Sequence, residues 1–182
     1  MKSILLFIVL SIPIVIISWR TLFDTKSHGF YRFFGWECIV WLFVRNYRYW
    51  FTDPFSFKQL ISWILLIVCT YLVIAGLSVF KRTGKIEASR EDKNLFGFEK
   101  TTELIDTGVY AHIRHPLYGS LILLTWGIFF KHPTLGLLIV SAASTLFLYI
   151  TSRNDEKECI AYFGDKYRQY MKRSKMFLPW IF

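Results

Sequence analysis

The chain has 182 residues, of which 54% are hydrophobic, 19% aromatic and only 19% charged. A soluble domain averages roughly 25% charged residues, and one domain of this length has no core large enough for so much apolar surface, so lipid is expected to be part of the solvent. The formal net charge of +9 is not read as a nucleic-acid signal, because fourteen of the 22 Lys and Arg residues lie in 81–116 and 151–182 among ten acids; cations crowded beside apolar runs are what the positive-inside rule expects.

Ile4 to Trp19 is apolar, with Pro13 as an expected kink, and a helix there just crosses the hydrocarbon. Lys2 and the apolar run after it look at first like a signal peptide. No small-residue cleavage site follows, and bulky Trp19, Arg20 and Leu22 do, so the run reads as a retained span. Residues 20–32 form a polar connection. Phe33 to Val44 is a second apolar run that includes Glu37, a carboxylate expected to face the bundle interior. Thr52-Asp53-Pro54 ends it, since proline stops a helix and restricts the residue before it. Gln59 to Phe80 gives 22 residues without a charge. Cys38, Cys69 and Cys159 have no CxxC or Cys/His spacing, so neither a disulfide framework nor a metal site is expected.

Residues 81–116 are polar, carry Gly84 and Gly97 and show no helical apolar stripe; a connection this long is functional or disordered. Leu117 to Ser152 is apolar except at Lys131 and His132. One helix of that length would run about 54 Å, against a hydrocarbon layer of ~30 Å. Lys131-His132-Pro133-Thr134 is therefore expected to turn, giving a hairpin of Leu117–Phe130 and Leu135–Ser152. Both outer ends then share one side with the basic segments, the cytoplasmic side by the charge rule. From 153 onward the chain is polar and helix-favouring, with Tyr162, Phe163, Tyr167 and Tyr170 at roughly helical spacing, as in a helix lying on the membrane face. The expected fold is all-α: an integral, multi-pass membrane bundle of about five transmembrane helices, with a helical hairpin and a cytosolic C-terminal helix.

Two clusters carry chemistry. Gly108, Tyr110, Arg114, His115, Pro116, Tyr118 and Gly119 precede the hairpin; Arg153, Asp155, Glu156, Phe163, Gly164, Tyr167 and Tyr170 follow it. The hairpin brings them to one membrane face. Pro116 suits the first turn of a helix, where free amides favour an anion, and Arg114 and His115 add donors for a carboxylate or phosphate. Asp155 and Glu156 balance those cations or accept from ribose hydroxyls. Tyr110 and Tyr118 offer faces to a flat base or, by cation–π attraction, to a sulfonium. The residues alone leave a second reading open, in which the same charges only staple the hairpin ends and the aromatics of 162–170 only pack.

The pattern Leu104-Ile105-x-x-Gly108-x-Tyr110-x-x-x-Arg114-His115-Pro116-x-Tyr118, then Asp155-Glu156 and Phe163-Gly164-x-x-Tyr167-x-x-Tyr170, resembles the isoprenylcysteine carboxyl methyltransferases and the wider group that includes phospholipid N-methyltransferases. The resemblance covers about 95 to 182. It implies one membrane domain over 1–182, with N-terminal spans in 1–80 and a cofactor-binding catalytic core in 81–182. It also implies S-adenosylmethionine bound on the cytosolic side by Thr102, Glu103, Leu104, Ile105, Gly108, Tyr110, Arg114, His115, Pro116, Leu117, Tyr118, Asp155 and Glu156. Arg153 and Glu156 are the expected catalytic pair, Arg153 being the candidate cation for an acceptor carboxylate. Two features depart from the family: Asp155 stands where Glu is common, and the register of Arg153 differs from the substrate-binding arginine of the eukaryotic enzymes. The implied reaction is carboxyl O-methylation of a lipophilic or lipidated acceptor drawn from membrane lipid, with no nucleic acid and no metal. Alternatives are a lipid-amine N-methyltransferase, a non-catalytic membrane scaffold and an NADPH-dependent lipid reductase.

Overall fold

The computed structural model describes residues 2–83 and 103–177, and among these every regular element is a helix. In chain order they are α1 (Lys2–Ser18), α2 (His28–Asn46), α3 (Phe57–Thr83), α4 (Pro116–Phe129), α5 (Leu135–Phe163) and α6 (Asp165–Arg173). Two helices, over Phe57–Val79 and Leu135–Phe163, are long and apolar enough to cross a bilayer, while α1 and α4 are shorter apolar helices. Ile64, Ile67, Tyr71 and Ile74 of α3 and Leu135, Ile139 and Leu146 of α5 are exposed. Large apolar side chains left outside in this number suit contact with lipid tails rather than water.

Local signals place the helix starts. The Ser27 hydroxyl accepts from the Gly29 amide at 3.2 Å, so α2 begins five residues before the apolar run that sequence marks. The Thr134 hydroxyl accepts from the Leu137 amide at 3.4 Å and starts α5 just after Pro133. Pro116 opens α4. The larger departure from the sequence expectation is at the end of α5. That helix does not stop near Ser152 but continues through the polar stretch to Phe163. It breaks at Gly164, whose φ of 62° is a conformation that glycine adopts readily and other residues do not. The residues from 153 to 163 are thus the last turns of a helix long and apolar enough to cross a bilayer, and α6 is a separate element.

The interior is apolar around Ile39, Leu42, Ile128, Phe129, Leu137 and Leu148. Polar side chains also join the helices across it. Asn46 Nδ2 donates to the Ile128 carbonyl at 2.7 Å and Ser62 Oγ to the Gly127 carbonyl at 2.6 Å. Thr125 and Ser144 pair at 3.1 Å. Such bonds hold helices together where lipid provides no hydrophobic push between them.

The two ends of the bundle differ. At one end, the turn between α4 and α5 buries Lys131, which is 1% exposed. Its ammonium donates to Gln59 Oε1 at 3.0 Å and lies 3.3 Å from the Trp63 ring centroid and 5.1 Å from that of Trp50. Gln59 Nε2 donates in turn to the carbonyls of Tyr49 at 2.8 Å and Thr52 at 3.1 Å. One amide therefore ties the end of α2, the start of α3 and the hairpin turn. The opposite end gathers the start of α2, the end of α3, the start of α4, the last turns of α5 and α6. Gln59→Leu removes the acceptor for a buried ammonium, and stranding a buried charge costs about 3–5 kcal/mol. The variant is expected to unfold at clearly lower temperature in a detergent thermal scan; an unchanged Tm overturns this role.

Candidate active site

The segment from Glu103 to His115 has no α-helix. It makes one 3₁₀ turn, Gly108–Ala111, and then runs to the start of α4. Gly108 has φ 60°, and a Cβ there would stand 2.7 Å from Val79 Cγ2 at the end of α3, so both conformation and space demand glycine. Beyond the turn, the chain pairs with the stretch after α6. Arg114 and His115 donate their amides to the carbonyls of Lys175 at 2.8 Å and Met176 at 3.1 Å, and the Lys175 amide donates to the His112 carbonyl at 2.9 Å. The strap, residues 174–177, thus engages the amides of Arg114 and His115, just ahead of the first turn of α4, whose own amides are those of Leu117 and Tyr118.

Below the strap lies the charged cluster. Arg114 Nε donates to Glu156 Oε1 at 2.8 Å, and its Nη1 reaches the carbonyls of Met171, at 3.3 Å, and Ser174. Arg153 Nη1 donates to the other carboxylate oxygen, Glu156 Oε2, at 3.1 Å. Glu156 is 1% exposed, so its charge is balanced by partners rather than water. His115 Nδ1 stands 3.5 Å from Asp155 Oδ2, and its Nε2 stands 3.6 Å from Glu156 Oε1. That second nitrogen is buried and has no hydrogen-bond partner among the described residues. Burial works against a charged His115, but the bond to Asp155 and the charge of Glu156 outweigh it and raise its pKa above the ordinary value.

Aromatic residues seal the cluster. Tyr170 donates its hydroxyl to the Tyr110 carbonyl at 2.6 Å. Tyr118 packs with Met176 and Phe177, and the His115 ring lies 5.6 Å from Tyr118 and 6.3 Å from Phe177. Burial pushes the hydroxyls of Tyr167 and Tyr170 far up, so both stay neutral.

Two cavities flank the 103–115 segment. The first, about 510 Å³, is polar and lined by Glu103, Leu104, Asp106, Phe163, Lys166, Gln169, Tyr170 and Arg173; small-molecule sites commonly span ~300–1,000 Å³. Asp106 and Arg173 form an ion pair at its rim. The second, about 1130 Å³, is an apolar groove along α3, α4 and α5 that is closed at one end by Gly108, Val109, His112, Ile113 and Phe177.

The structure therefore joins Arg114, His115, Arg153, Asp155 and Glu156 in one cluster, and sets Glu103 and Leu104 in the polar cavity. Gly108 belongs to the groove, and Tyr110 and Tyr118 are buried supports. Pro116 is buried in the first turn of α4, Leu117 packs beside Gly76, and Ile105 is half-buried. Thr102 lies outside the described residues. Sequence reasoning missed the α6 contribution to the cavity, Lys166, Gln169 and Arg173, because those residues read as an ordinary solvated helix face. It also missed His28. This side chain is fully buried and meets Glu158 Oε2 through Nδ1 at 2.7 Å, while its backbone amide donates to Glu158 Oε1 at 3.0 Å. His28, Asp155 and Glu158 could gather around a cation, although His28 and Glu158 already satisfy each other. Nothing local in residues 20–32 signals a partner 130 residues away.

Because the folded pKa of His115 is raised, the stability it contributes is complete below the unfolded value of about 6.5 and is lost as pH rises through the folded value. The Tm gap between the unmodified protein and His115→Gln is expected to narrow on raising the pH from about 6 to about 9. A gap that stays constant over that range overturns the charged-histidine assignment.

The chain is similar over 119 residues, 65% of its length, to a methanethiol S-methyltransferase of Pseudomonas deceptionensis, at 31% identity and 42% coverage of that protein. It is 29% identical over 120 residues to methanethiol S-methyltransferase 1 of Bradyrhizobium diazoefficiens, covering 65% of the chain and 39% of the relative. It is 30% identical over 133 residues to protein-S-isoprenylcysteine O-methyltransferase of Homo sapiens, covering 66% and 46%. The chain thus covers less than half the length of each of these curated relatives. No protein-family model and no solved structure matches it.

Proposed function

We propose, from its similarity to these relatives, that the chain is a member of the isoprenylcysteine methyltransferase-like family: a multi-pass membrane methyltransferase that uses S-adenosylmethionine to methylate a lipophilic acceptor, with the site on the cytoplasmic side and a carboxylate as the preferred nucleophile. One observation carries this reading: a polar cavity and an apolar groove lie on either side of the same 103–115 segment. That is the division of space a polar methyl donor and a greasy acceptor require.

The residues present suit the donor. S-adenosylmethionine, when bound, supplies an electrophilic methyl group on a sulfonium. The polar cavity offers Lys166 to an anionic group and Glu103 to hydroxyls or an amine, beside the Asp106–Arg173 ion pair at its rim. His115 Nε2 lies 3.6 Å from Glu156 Oε1 and makes no hydrogen bond among the described residues, so a ligand acceptor that reaches it adds one. Glu156 places Arg114 and Arg153 on its two oxygens, fixing the cluster before anything binds.

The chemistry asks little more than alignment. With such a donor bound, the acceptor's carbon–oxygen bond would form as the donor's carbon–sulfur bond breaks, so the two would have to lie in line. Holding the partners in that line is the main contribution of the protein, and excluding water prevents a competing attack. A carboxylate needs no general base. We assign Arg153 and Glu156 to the reacting end of the site, with Arg153, half-exposed, as a cation for the acceptor. A second reading, methylation of a thiol, is favoured by the relatives named for methanethiol. The 1130 Å³ groove exceeds what so small a molecule needs and fits a chain-bearing acceptor better.

Two measurements test the proposal. Calorimetry in detergent is expected to show S-adenosylhomocysteine binding, reduced on the order of tenfold by His115→Ala, the loss of one buried hydrogen bond to the ligand. No binding by folded protein overturns the methyltransferase. Membranes incubated with methyl-labelled S-adenosylmethionine are expected to yield a lipid product that releases volatile methanol in mild base. Base-stable label in lipid overturns the carboxylate and keeps the methyltransferase, with an amine or thiol as acceptor.

A further inference from the structure

The apolar groove has one ionisable imidazole on its wall. Val68 and Leu72 of α3, Ile122, Leu123 and Trp126 of α4, and Ala142 and Leu146 of α5 make it a channel for hydrocarbon. Polar side-chain atoms enter its lining through Tyr71, His112, Thr145 and Tyr149, and through the Trp126 indole nitrogen, which donates to Thr145 at 3.2 Å. Of these, His112 is the residue set at the closed end, in the segment that also carries Tyr110, Arg114 and His115.

Its backbone is held on both sides. The His112 amide donates to the Val109 carbonyl at 3.2 Å, and its carbonyl accepts from the Lys175 amide at 2.9 Å. Its neighbours Tyr110 and Ile113 are buried while His112 is exposed, so the fold presents this ring at a fixed place rather than packing it away. His115 is only three residues on, a span of at most ~11 Å of chain. An amphiphile whose tail lies along α3, α4 and α5 and whose head lies at the 108–113 end would meet His112 there, near the charged cluster. Arg153, assigned above to the reacting end, is bonded to Glu156 and is not among the groove-lining residues, so the groove holds the head through a residue of its own before the head meets the reacting end. The strap side of this end is cationic, with Lys175 exposed and joined to His112 through the backbone. The nearby acid Glu156 is already taken by Arg114 and Arg153. The local balance favours an anionic head.

We propose that His112 is the head-group contact of the groove, selecting a single-chain amphiphile with a carboxylate head and delivering that carboxylate to the methyl donor. This rests on the lipophilic-acceptor reading above, and it predicts binding selectivity that is measured without turnover. The intact protein in detergent is titrated with a brominated 18-carbon fatty acid and, separately, with the matching brominated alcohol. Quenching of Trp126, a groove residue, is isolated as the signal lost in Trp126→Phe. The acid is expected to half-saturate at lower concentration than the alcohol. His112→Leu is expected to raise the half-saturation for the acid on the order of tenfold, the loss of one charge-assisted hydrogen bond, with the alcohol unchanged. His112→Lys restores the preference for the acid. Equal half-saturation for acid and alcohol overturns the proposal, as does an equal loss for both in His112→Leu or no quenching of Trp126 by either probe. S-adenosylhomocysteine calorimetry on the same variants keeps the two readings apart. Selective acid binding without cofactor binding removes the methyltransferase and leaves the head-group site. Loss of cofactor affinity in His112→Leu moves His112 to the donor side and overturns the present assignment.

Discussion

Glu156 is the constraint on which the site depends. A carboxylate that is 1% exposed must be satisfied by its neighbours, and here two guanidinium groups divide its two oxygens, Arg114 on one and Arg153 on the other. Arg114 belongs to the approach to α4, and its Nη1 holds the carbonyls of Met171 and Ser174 at the end of α6. Through one carboxylate, three parts of the chain far apart in sequence are fixed in register. Taking a charge out of water is costly enough that the arrangement holds only if every partner is in place, so the cluster forms together or not at all. This makes stapling and catalysis compatible: the same bonds that close the end of the bundle hold the charges where a ligand would meet them.

The opposite end solves a related problem with different means. Lys131 is also a buried cation, yet no acid answers it among the described residues. An amide oxygen and the faces of two tryptophans do. Aromatic faces attract a cation without bringing a second charge to bury. Between the two ends, serine and asparagine donate to backbone carbonyls of neighbouring helices. Such neutral bonds fix helix positions without competing for the ligand groups above.

Much of this was legible because long apolar helices announce themselves. The charge-free run from Gln59 became the centre of α3, and Lys131-His132-Pro133-Thr134 did turn, since neither charge nor proline is at home in the middle of a span. The meeting of Arg114 and His115 with Asp155 and Glu156 followed from that turn alone. Helix ends were harder. The apolar run ends at Ser152, but the helix ends where a positive-φ glycine stops it, so hydropathy located the membrane part of α5 and not its full length. Contacts between distant segments left no trace at all. His28 reads as one polar residue in a polar connection, and only folding brings Glu158 to it. Lys175 and Met176 read as tail residues, yet their carbonyls take the amides of Arg114 and His115.

The unbroken length of α5 has a mechanical consequence. Its 29 residues span about 43 Å, more than the ~30 Å of hydrocarbon, and Asp155 and Glu156 sit on the overhang. In the bilayer orientation proposed above, no hinge intervenes between the lipid-embedded turns and the acids, so the height of the charged cluster above the lipid is set by where the apolar turns settle. The groove is carved into those same turns. A thicker or thinner bilayer, which makes spanning helices tilt or shift at modest cost, would therefore move groove and cluster together relative to the surrounding headgroups. The depth from which an acceptor is drawn becomes a property of the membrane as much as of the protein.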